Sequence, residues 1–288
     1  MNKYLILSLA AVAIVSCSKH DLPAEDDGHS IEFVVSYPES AKATDTGFEA
    51  GDAVTLYAVE QGGEEIMPLQ VAGNFINNEP LSFDGSTWTT GKVLYWIDKP
   101  CDFYAVYPYQ PDIRSVDSFK FELAADQSGD GYEASDLLFA KSDMVSRENG
   151  PVNLKFNHLL SRLTVKLVKG EKFEGEIPDD IVAHIYNTNV ECALNFNTGS
   201  VEKSPFGAKK TITMKKLNNE QFVAVVVPQN IEKRTPLVEI TMGGIAYLLE
   251  YSLSFRAGYS HTISLILNTS PDQEQIEIAI DPSVDPMQ

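Results

Sequence analysis

The stretch Arg162-Leu163-Thr164-Val165-Lys166-Leu167 decides the fold, because polar and apolar side chains alternate along it. Successive side chains of a β-strand point to opposite faces of a sheet, so this alternation is typical of a strand with one buried face. The same period of two returns at Ile31–Tyr37, Thr262–Leu267 and Gln275–Asp281. Phe222–Val227 is apolar throughout and predicts a central strand covered on both faces. The chain is therefore predicted to be all-β.

Short turns separate the predicted strands, and each of them contains glycine. They are Glu49–Asp52, Gln61–Gly63, Asp84–Ser86, Asn197–Gly199 and Met242–Gly244. Many short strands at this spacing indicate β-sandwiches or barrels. Helical periodicity is weak, and only Asp112–Asp117 and Asn157–Arg162 are candidates for short helices.

The length of 288 residues and a hydrophobic fraction of 43% fit two globular domains. Ser146–Pro151 is a polar stretch that closes with Gly-Pro, a combination that marks turns and boundaries. We therefore predict an N-terminal β-sandwich over residues 29–150 and a C-terminal β-sandwich over residues 151–288.

The N-terminus carries an export signal. A short basic start is followed by the apolar run Leu5–Val15 and then by Ser16-Cys17. This pattern predicts a lipoprotein signal peptide over residues 1–16, with Cys17 acylated as the first residue of the mature chain. The apolar run is too short for a membrane span, so the acyl chains would anchor the protein. Residues 17–28 are polar and acidic and predict a flexible tether.

Charge and motifs exclude several classes of function. The net charge of −19 argues against nucleic acid, whose phosphates require Lys and Arg. The chain has no nucleophile elbow, P-loop or dinucleotide fingerprint, and its five histidines lack the spacing of metal ligands. Asp126–Gly131 resembles the front of a calcium loop, but Leu137 stands where the bidentate glutamate belongs. We predict no catalytic residue, no metal and no cofactor.

The two cysteines after Cys17 leave their redox state open. Cys101 and Cys192 would be able to pair in an oxidising compartment, although they fall in different predicted domains. Aromatic residues are frequent between Trp88 and Tyr109, and exposed rings there would be able to stack on sugars. Strand alternation instead favours a role for most of these rings in the core.

Six blocks of sequence, in this order and spacing, resemble the fimbrillin family of pilin-like lipoproteins from Bacteroides-type bacteria. The blocks are Thr46–Tyr57, Tyr95–Pro108, Ser135–Ala140, Val152–Val165, Val226–Gln229 and Phe255–Tyr259. The resemblance implies two tandem transthyretin-like β-sandwich domains. It also implies a structural or accessory subunit of surface fimbriae, displayed at the outer membrane and not an enzyme.

The resemblance further implies assembly by strand exchange. In the best understood fimbrillins a protease removes the first strand, and a strand from a neighbouring subunit fills the groove. The removable strand here would present Ile31, Phe33, Val35 and Tyr37, and Lys42-Ala43 would be the processing site, with lysine where the studied sites have arginine.

The candidate donor strand is the alternating segment near the C-terminus with Ile276, Ile278 and Ile280. A partner strand of this kind satisfies an open sheet edge with backbone hydrogen bonds and fills pockets with alternate side chains. Expected partners are other fimbrillin subunits, the outer membrane through the lipid, and a host or bacterial surface ligand.

Two other functions remain open from the sequence. One is a non-polymerising surface lipoprotein that acts as an adhesin or binds glycans through rings such as Trp88 or Trp96. The other is a hydrolase, which requires a cleft with paired, pKa-shifted carboxylates.

Overall fold

The computed structural model describes residues 29–38, 47–63, 66–268 and 278–287. The fold is nearly all-β, with 52% of the described residues in strands and 3% in helices. Among the described residues up to position 158, the strands are β1 Phe33–Ser36, β2 Ala53–Glu60, β3 Ile76–Phe83, β4 Trp88–Thr90, β5 Cys101–Tyr107, β6 Phe119–Glu122, β7 Leu138–Val145, β8 Val152–Lys155 and β9 Asn157–His158.

The described strands that follow begin at Ser161. They are β10 Ser161–Lys169, β11 Val182–Asn189, β12 Glu191–Asn195, β13 Ser200–Lys203, β14 Lys209–Thr213, β15 Lys215–Asn218, β16 Gln221–Val226, β17 Asn230–Ile231, β18 Pro236–Met242, β19 Ile245–Glu250, β20 Leu253–Ser254, β21 Tyr259–Leu267 and β22 Ile278–Pro286. One helical turn, α1, spans Gly131–Ala134, and a 3₁₀ turn spans Arg147–Asn149.

The N-terminal half is a sandwich of unequal sheets. A six-stranded sheet in the order β4-β3-β2-β5-β7-β9 packs against the two-stranded sheet β1-β8. Apolar residues of both sheets form one core cluster, including Leu56, Phe103 and Leu154. The small second sheet covers only part of the larger one, which leaves a groove beside β1.

The C-terminal half contains two larger sheets. Their strand orders are β15-β16-β10-β21-β22 and β14-β11-β18-β19, and β17 and β20 form a separate two-stranded sheet. The apolar stretch predicted as a central strand forms β16, which lies between β15 and β10. Its side chains join a core cluster with those of β10, β18 and β21.

The same core cluster joins the two halves of the molecule. Tyr57 and Tyr104, on the face of the six-stranded sheet away from β1, pack with residues of the C-terminal half. The rings of Tyr57 and Phe196 meet edge to face with centroids 6.0 Å apart. At Gly199, which has φ +67°, an added Cβ would lie 2.5 Å from the ring of Phe139. Only glycine permits this close approach between the halves.

Two strands after residue 150 pair with the N-terminal half. β8 pairs with β1, and β9 pairs with β7. Conversely, β6 of the N-terminal half pairs with β12 of the C-terminal half, in the three-stranded sheet β13-β12-β6. The division at residues 150 and 151 stays a prediction, and the pairing favours a division of the sandwiches after His158.

The predicted short helices are wrong. Asn157–His158 forms β9, Ser161 begins β10, and residues 112–117 form no helix. Ile113 and Val116 are both buried in the core from an irregular segment, and their spacing of three residues mimics a helical stripe.

Candidate functional site

The first described strand, β1, is held by backbone bonds along one side. It pairs in parallel with β8, with Phe33 opposite Val152 and Val35 opposite Leu154. The N–H of Val152 donates to the carbonyl of Glu32 at 2.8 Å. Among the strands described, β1 pairs with β8 alone, so the other edge of Phe33–Ser36 is open. Just before β1, the N–H of Ile31 donates to the carbonyl of Leu94 at 2.7 Å on that other side.

The four side chains predicted for the removable strand face the N-terminal core. Ile31 is buried, and Phe33, Val35 and Tyr37 are partly buried against the same cluster. The Phe33 ring meets that of Phe103 edge to face at 6.2 Å. Val34, which lies between Phe33 and Val35 in the sequence, is 46% exposed. Residues that face the core and residues that are exposed therefore alternate along β1, as the sequence pattern predicts.

A groove of about 840 Å³ lies along the open edge of β1. Its lining is mainly apolar, with Phe33 and Val35 on one side and Trp88, Val93 and Leu94 on the other. This groove explains why the inward side chains of β1 are only partly covered. An extended peptide would fit it better than a helix, because an open strand edge presents regularly spaced N–H and C=O groups.

Tyr37 ties the end of β1 to the rest of the molecule. Its hydroxyl donates to Oδ2 of Asp136 at 3.0 Å, and Nδ1 of His158 lies 2.9 Å from Oδ1 of the same carboxylate. The His158 side chain is 6% exposed and that of Asp136 is 17% exposed. The Tyr37 ring also meets Phe48 edge to face at 5.0 Å.

Sequence reasoning missed Asp136 and Phe48 as members of this site. Both lie in blocks that carry the family resemblance, and membership of those blocks is the signal by which they could have been found. His158 has apolar neighbours in the sequence, and its low exposure is that of a histidine packed in or at the edge of the core.

The predicted donor segment lies at a sheet edge in the C-terminal half. β22 pairs antiparallel with β21, with Ile278 opposite Leu267 and Ile280 opposite Leu265. Every residue from 282 to 286 is exposed, so this part of β22 is held mainly by its backbone bonds. Ile276 lies outside the described residues. The structure therefore does not bring β22 together with β1.

Three other predicted site residues also lie outside the described residues. They are Cys17, the predicted lipidation site, and Lys42-Ala43, the predicted processing site. The strand before the processing site ends at Ser36, and the strand after it begins at Ala53.

The side chains considered for other chemistry are mostly structural. Cys101 and Cys192 are free and buried, and burial raises the pKa of their thiols to about 11 and about 12. Within the described part of the chain, no three His, Cys, Asp or Glu side chains gather as metal ligands would. Trp88 and Trp96 are partly buried against the N-terminal core, as expected for packing rings. No helix among the described residues combines the length and hydropathy that crossing a membrane requires.

Comparison with known proteins identifies the family. The model of the fimbrillin-like family matches residues 41–284, which is most of the chain. The chain belongs to the fimbrillin-like family. This fimbrillin-like protein is 30% identical over 204 residues to a Bacteroides ovatus protein named as the fimbrium tip subunit Fim1C. The match covers 58% of the chain and 36% of that relative, so the chain spans about a third of the relative's length.

Solved structures show the same fold at low identity. A cell adhesion protein from Bacteroides uniformis has a TM-score of 0.66 and 20% identity, covering 91% of this fimbrillin-like chain and all of its own. One from Bacteroides ovatus has a TM-score of 0.69 and 15% identity, with coverages of 90% and 98%. The tip fimbrial protein Mfa3 of Porphyromonas gingivalis has a TM-score of 0.51 and 11% identity, with coverages of 89% and 99%.

Proposed function

We propose that this chain is a subunit of a fimbria on the bacterial surface, where it acts through strands and surfaces and not by catalysis. Its family membership supports this role, since the relatives it resembles are named as fimbrial and adhesion proteins. Its partners would be other fimbrillin subunits, with a host or bacterial ligand at an exposed end.

The observation that carries the assembly proposal is the way β1 is held. Its inward side chains complete the N-terminal core, and β8 is the one described strand that pairs with it. The segment just before β1 is also held, by backbone bonds of Ile31 to Leu94 and of His29 to Trp96. Removal of β1 would expose the core around Phe103 and leave β8 without its partner strand. A strand from another subunit would restore both the apolar packing and the backbone bonds.

We propose the C-terminal segment as the donor strand. Ile276, Ile278 and Ile280 have the same spacing of two as the inward side chains of β1. The exposure of residues 282–286 supports release of this part of β22, because little burial of those five side chains would be lost when it leaves β21.

Limited digestion with a lysine-specific endoprotease tests this assembly. We expect a cut after Lys42, followed by oligomers that resist dodecyl sulfate at room temperature. Lys42→Gln should remain uncut there and monomeric, whereas the matched control Lys172→Gln should behave like the native chain.

A variant lacking residues 276–288 should be cut and stay monomeric. Oligomers of that variant would exclude the proposed donor, and a cut native chain that stays monomeric would exclude strand exchange.

Anchoring and domain structure complete the proposal. The signal peptide over residues 1–16 would direct export, and lipid on Cys17 would hold the chain at the outer membrane through the tether. The two halves would be transthyretin-like sandwiches.

Mass spectrometry of the N-terminus on surface-extracted protein distinguishes the anchored from the processed form. Lipid on Cys17 in every molecule indicates an anchored, unprocessed subunit, whereas a start at Ala43 indicates a processed one. The absence of both lipid on Cys17 and a cut near Lys42 would contradict the anchoring and processing proposals.

A further inference from the structure

Basic residues concentrate in one short segment of this acidic chain. The net charge of the whole chain is −19, yet residues 200–216 contain five lysines and a single glutamate. Lys210 forms an ion pair with Glu122, and Lys215 forms one with Glu133. Lys216 donates to the carbonyl of Asp179. The remaining two, Lys203 and Lys209, are exposed and have no ion pair among the described residues.

The two unpaired lysines line the same pocket. This pocket has a volume of about 370 Å³, which is in the size range of small-ligand sites. Its other polar lining groups include Asn187, Asn230 and Thr235, which supply hydrogen-bond donors and acceptors. Glu232 is the single carboxylate among the described lining residues.

The loop around Glu232 adds two more cations. Lys233 and Arg234 follow it directly, both are exposed, and neither has an ion pair in the part of the chain that the structure describes. Four unpaired cations therefore lie in or beside the pocket. The carboxylates there are Glu232 in the lining and, beside it, Glu202 next to Lys203 and Glu191, which accepts a hydrogen bond from the N–H of Ala208 at 3.2 Å. The field of such a cluster attracts an anion even on a protein whose overall charge is negative.

The loop between the two lysines is built rigidly and presents an aromatic ring. In the turn Ser204–Gly207, the N–H of Gly207 donates to the carbonyl of Ser204 at 3.2 Å. The buried side-chain amide of Asn189 donates to the carbonyl of Ser204 at 3.0 Å and to the carbonyl of Gly207 at 3.1 Å. A Cβ at Gly207 would lie 2.4 Å from Oδ1 of Asn189, so this contact requires glycine. Phe206, at the tip of the turn, is 99% exposed.

Gln229, which lines the pocket, is held in place by two hydrogen bonds to the backbone of Asn189. Oε1 of Gln229 accepts a hydrogen bond from the N–H of Asn189 at 2.9 Å, and its Nε2 donates back to the carbonyl of Asn189 at 3.0 Å. Because these amide groups already satisfy one another, the exposed lysines and the remaining polar lining are what a ligand would meet. A site with fixed walls loses little conformational entropy when it binds.

We propose that this pocket binds an acidic sugar, with Lys203 and Lys209 pairing with its carboxylate or sulfate. The amide and hydroxyl groups of the lining would bind the sugar hydroxyls, and the Phe206 ring would cover an apolar face of a neighbouring sugar unit. A net charge of −19 opposes adsorption to an anionic membrane and to nucleic acid, whereas a small acidic sugar meets only the local cluster. The site does not depend on assembly by strand exchange.

Titration calorimetry with three oligosaccharides tests the site on the full mature chain. The probes are an oligogalacturonate, which carries carboxylates, a sulfated heparin fragment, and a neutral malto-oligosaccharide of equal length. We expect binding of at least one acidic probe and none of the neutral one. The preferred acidic probe shows whether the site favours carboxylate or sulfate. No binding of either acidic probe, or equal binding of the neutral one, would overturn the proposal.

Variants of exposed residues locate the binding without disturbing the fold. The double variant K203Q/K209Q should weaken binding of the preferred acidic probe about tenfold or more, since two charge-assisted contacts are lost. Its matched control, K120Q/K172Q, removes the same charge from exposed positions elsewhere and should stay within about twofold. Phe206→Ala should weaken binding about threefold or more. Equal effects of the two double variants, or equal binding of polyglutamate, would show general charge attraction and overturn the proposal.

Discussion

Tyr37 is the residue that fastens the first strand to the molecule. Its ring packs on Phe48, and its hydroxyl bonds to Asp136, which in turn bonds to His158 at the junction with the C-terminal half. A strand that leaves this site therefore breaks a polar contact as well as an apolar one. A replacement strand without a hydroxyl here would leave the carboxylate one hydrogen bond short.

Tyr37→Phe isolates the polar part of this contact. The change keeps the ring and removes the hydroxyl that donates to Asp136, so we expect a loss of about 1–2 kcal/mol in the free energy of unfolding. Urea unfolding measures it. Tyr95→Phe is the control, because Tyr95 is 53% exposed, and it should change stability by less than about 0.5 kcal/mol. Equal effects of the two variants would contradict the role given to Asp136.

His261 gives the C-terminal half a dependence on pH. It is 1% exposed in β21, and its Nε2 accepts a hydrogen bond from the N–H of Arg256 at 3.3 Å. Burial, and then the charge of Arg256, lower the pKa of His261 below its ordinary value of 6.5. The folded protein therefore favours the neutral ring, whereas the unfolded chain takes up a proton near the ordinary value.

The sign of the effect follows from this difference in proton uptake. The contribution of His261 to stability is complete above the unfolded pKa of 6.5 and is lost as pH falls through that value toward the lower folded pKa. Urea unfolding at about pH 7.5 and about pH 5.5 should show a smaller acid-induced loss in His261→Gln than in the native chain. An identical loss in both would assign the acid sensitivity to other groups.

At the scale of elements, β1 is the clearest case of a strand specified by its own sequence. Its inward residues pack on the core, and its outward residues face solvent. A one-residue slip would reverse every side chain, so the apolar alternation fixes the register. β22 has the same period, yet the described side chains from 282 to 286 are all exposed.

Two adjacent substitutions in β1 test this alternation. Val35→Asp places a carboxylate on the core side and should cost about 2–3 kcal/mol of the free energy of unfolding. Val34→Asp makes the same chemical change at a residue that is 46% exposed and should cost less than about 0.5 kcal/mol. Both are measured by urea unfolding, with proteolysis as a second assay. A Val34 variant as unstable as the Val35 variant would contradict the assigned faces.

At the scale of the whole molecule, the two halves share a core. The six-stranded sheet is apolar on both faces, with β1 and β8 covering one and the C-terminal half covering the other. Phe196 is fully buried at this junction and meets both Tyr57 and Phe119. Because each half completes the burial of the other, we expect them to unfold together.

The positions of the tryptophans allow a direct test of this coupling. Both tryptophans, Trp88 and Trp96, lie in the N-terminal half, so their fluorescence follows that half while far-ultraviolet circular dichroism follows the whole chain. The two signals should give one coincident transition. Phe196→Ala should lower the midpoint of both signals, with a loss of about 3–5 kcal/mol. Separate transitions would contradict the shared core.

Much of the fold was predictable because its signals are local. The period of two at Arg162–Leu167 forms β10, the apolar run from Phe222 forms the central strand β16, and the order of the family blocks indicated the fimbrillin-like family. The helix candidate at Asp112–Asp117 failed because Ile113 and Val116 are buried by long-range packing, which mimics a helical stripe. Local spacing does not reveal which distant surface covers an apolar pair.

The resemblance to the fimbrillins indicated which residues are candidates for exchange. The sequence by itself determined that the chain is all-β and which face of each alternating strand is apolar. Those properties follow from backbone geometry and side-chain polarity, which act over a few residues. Only the tertiary structure decided that β8 pairs with β1, that Asp136 meets Tyr37, and that Lys203 and Lys209 line one pocket. These pairings join residues far apart in the chain, so they depend on how whole sheets pack and not on any local pattern.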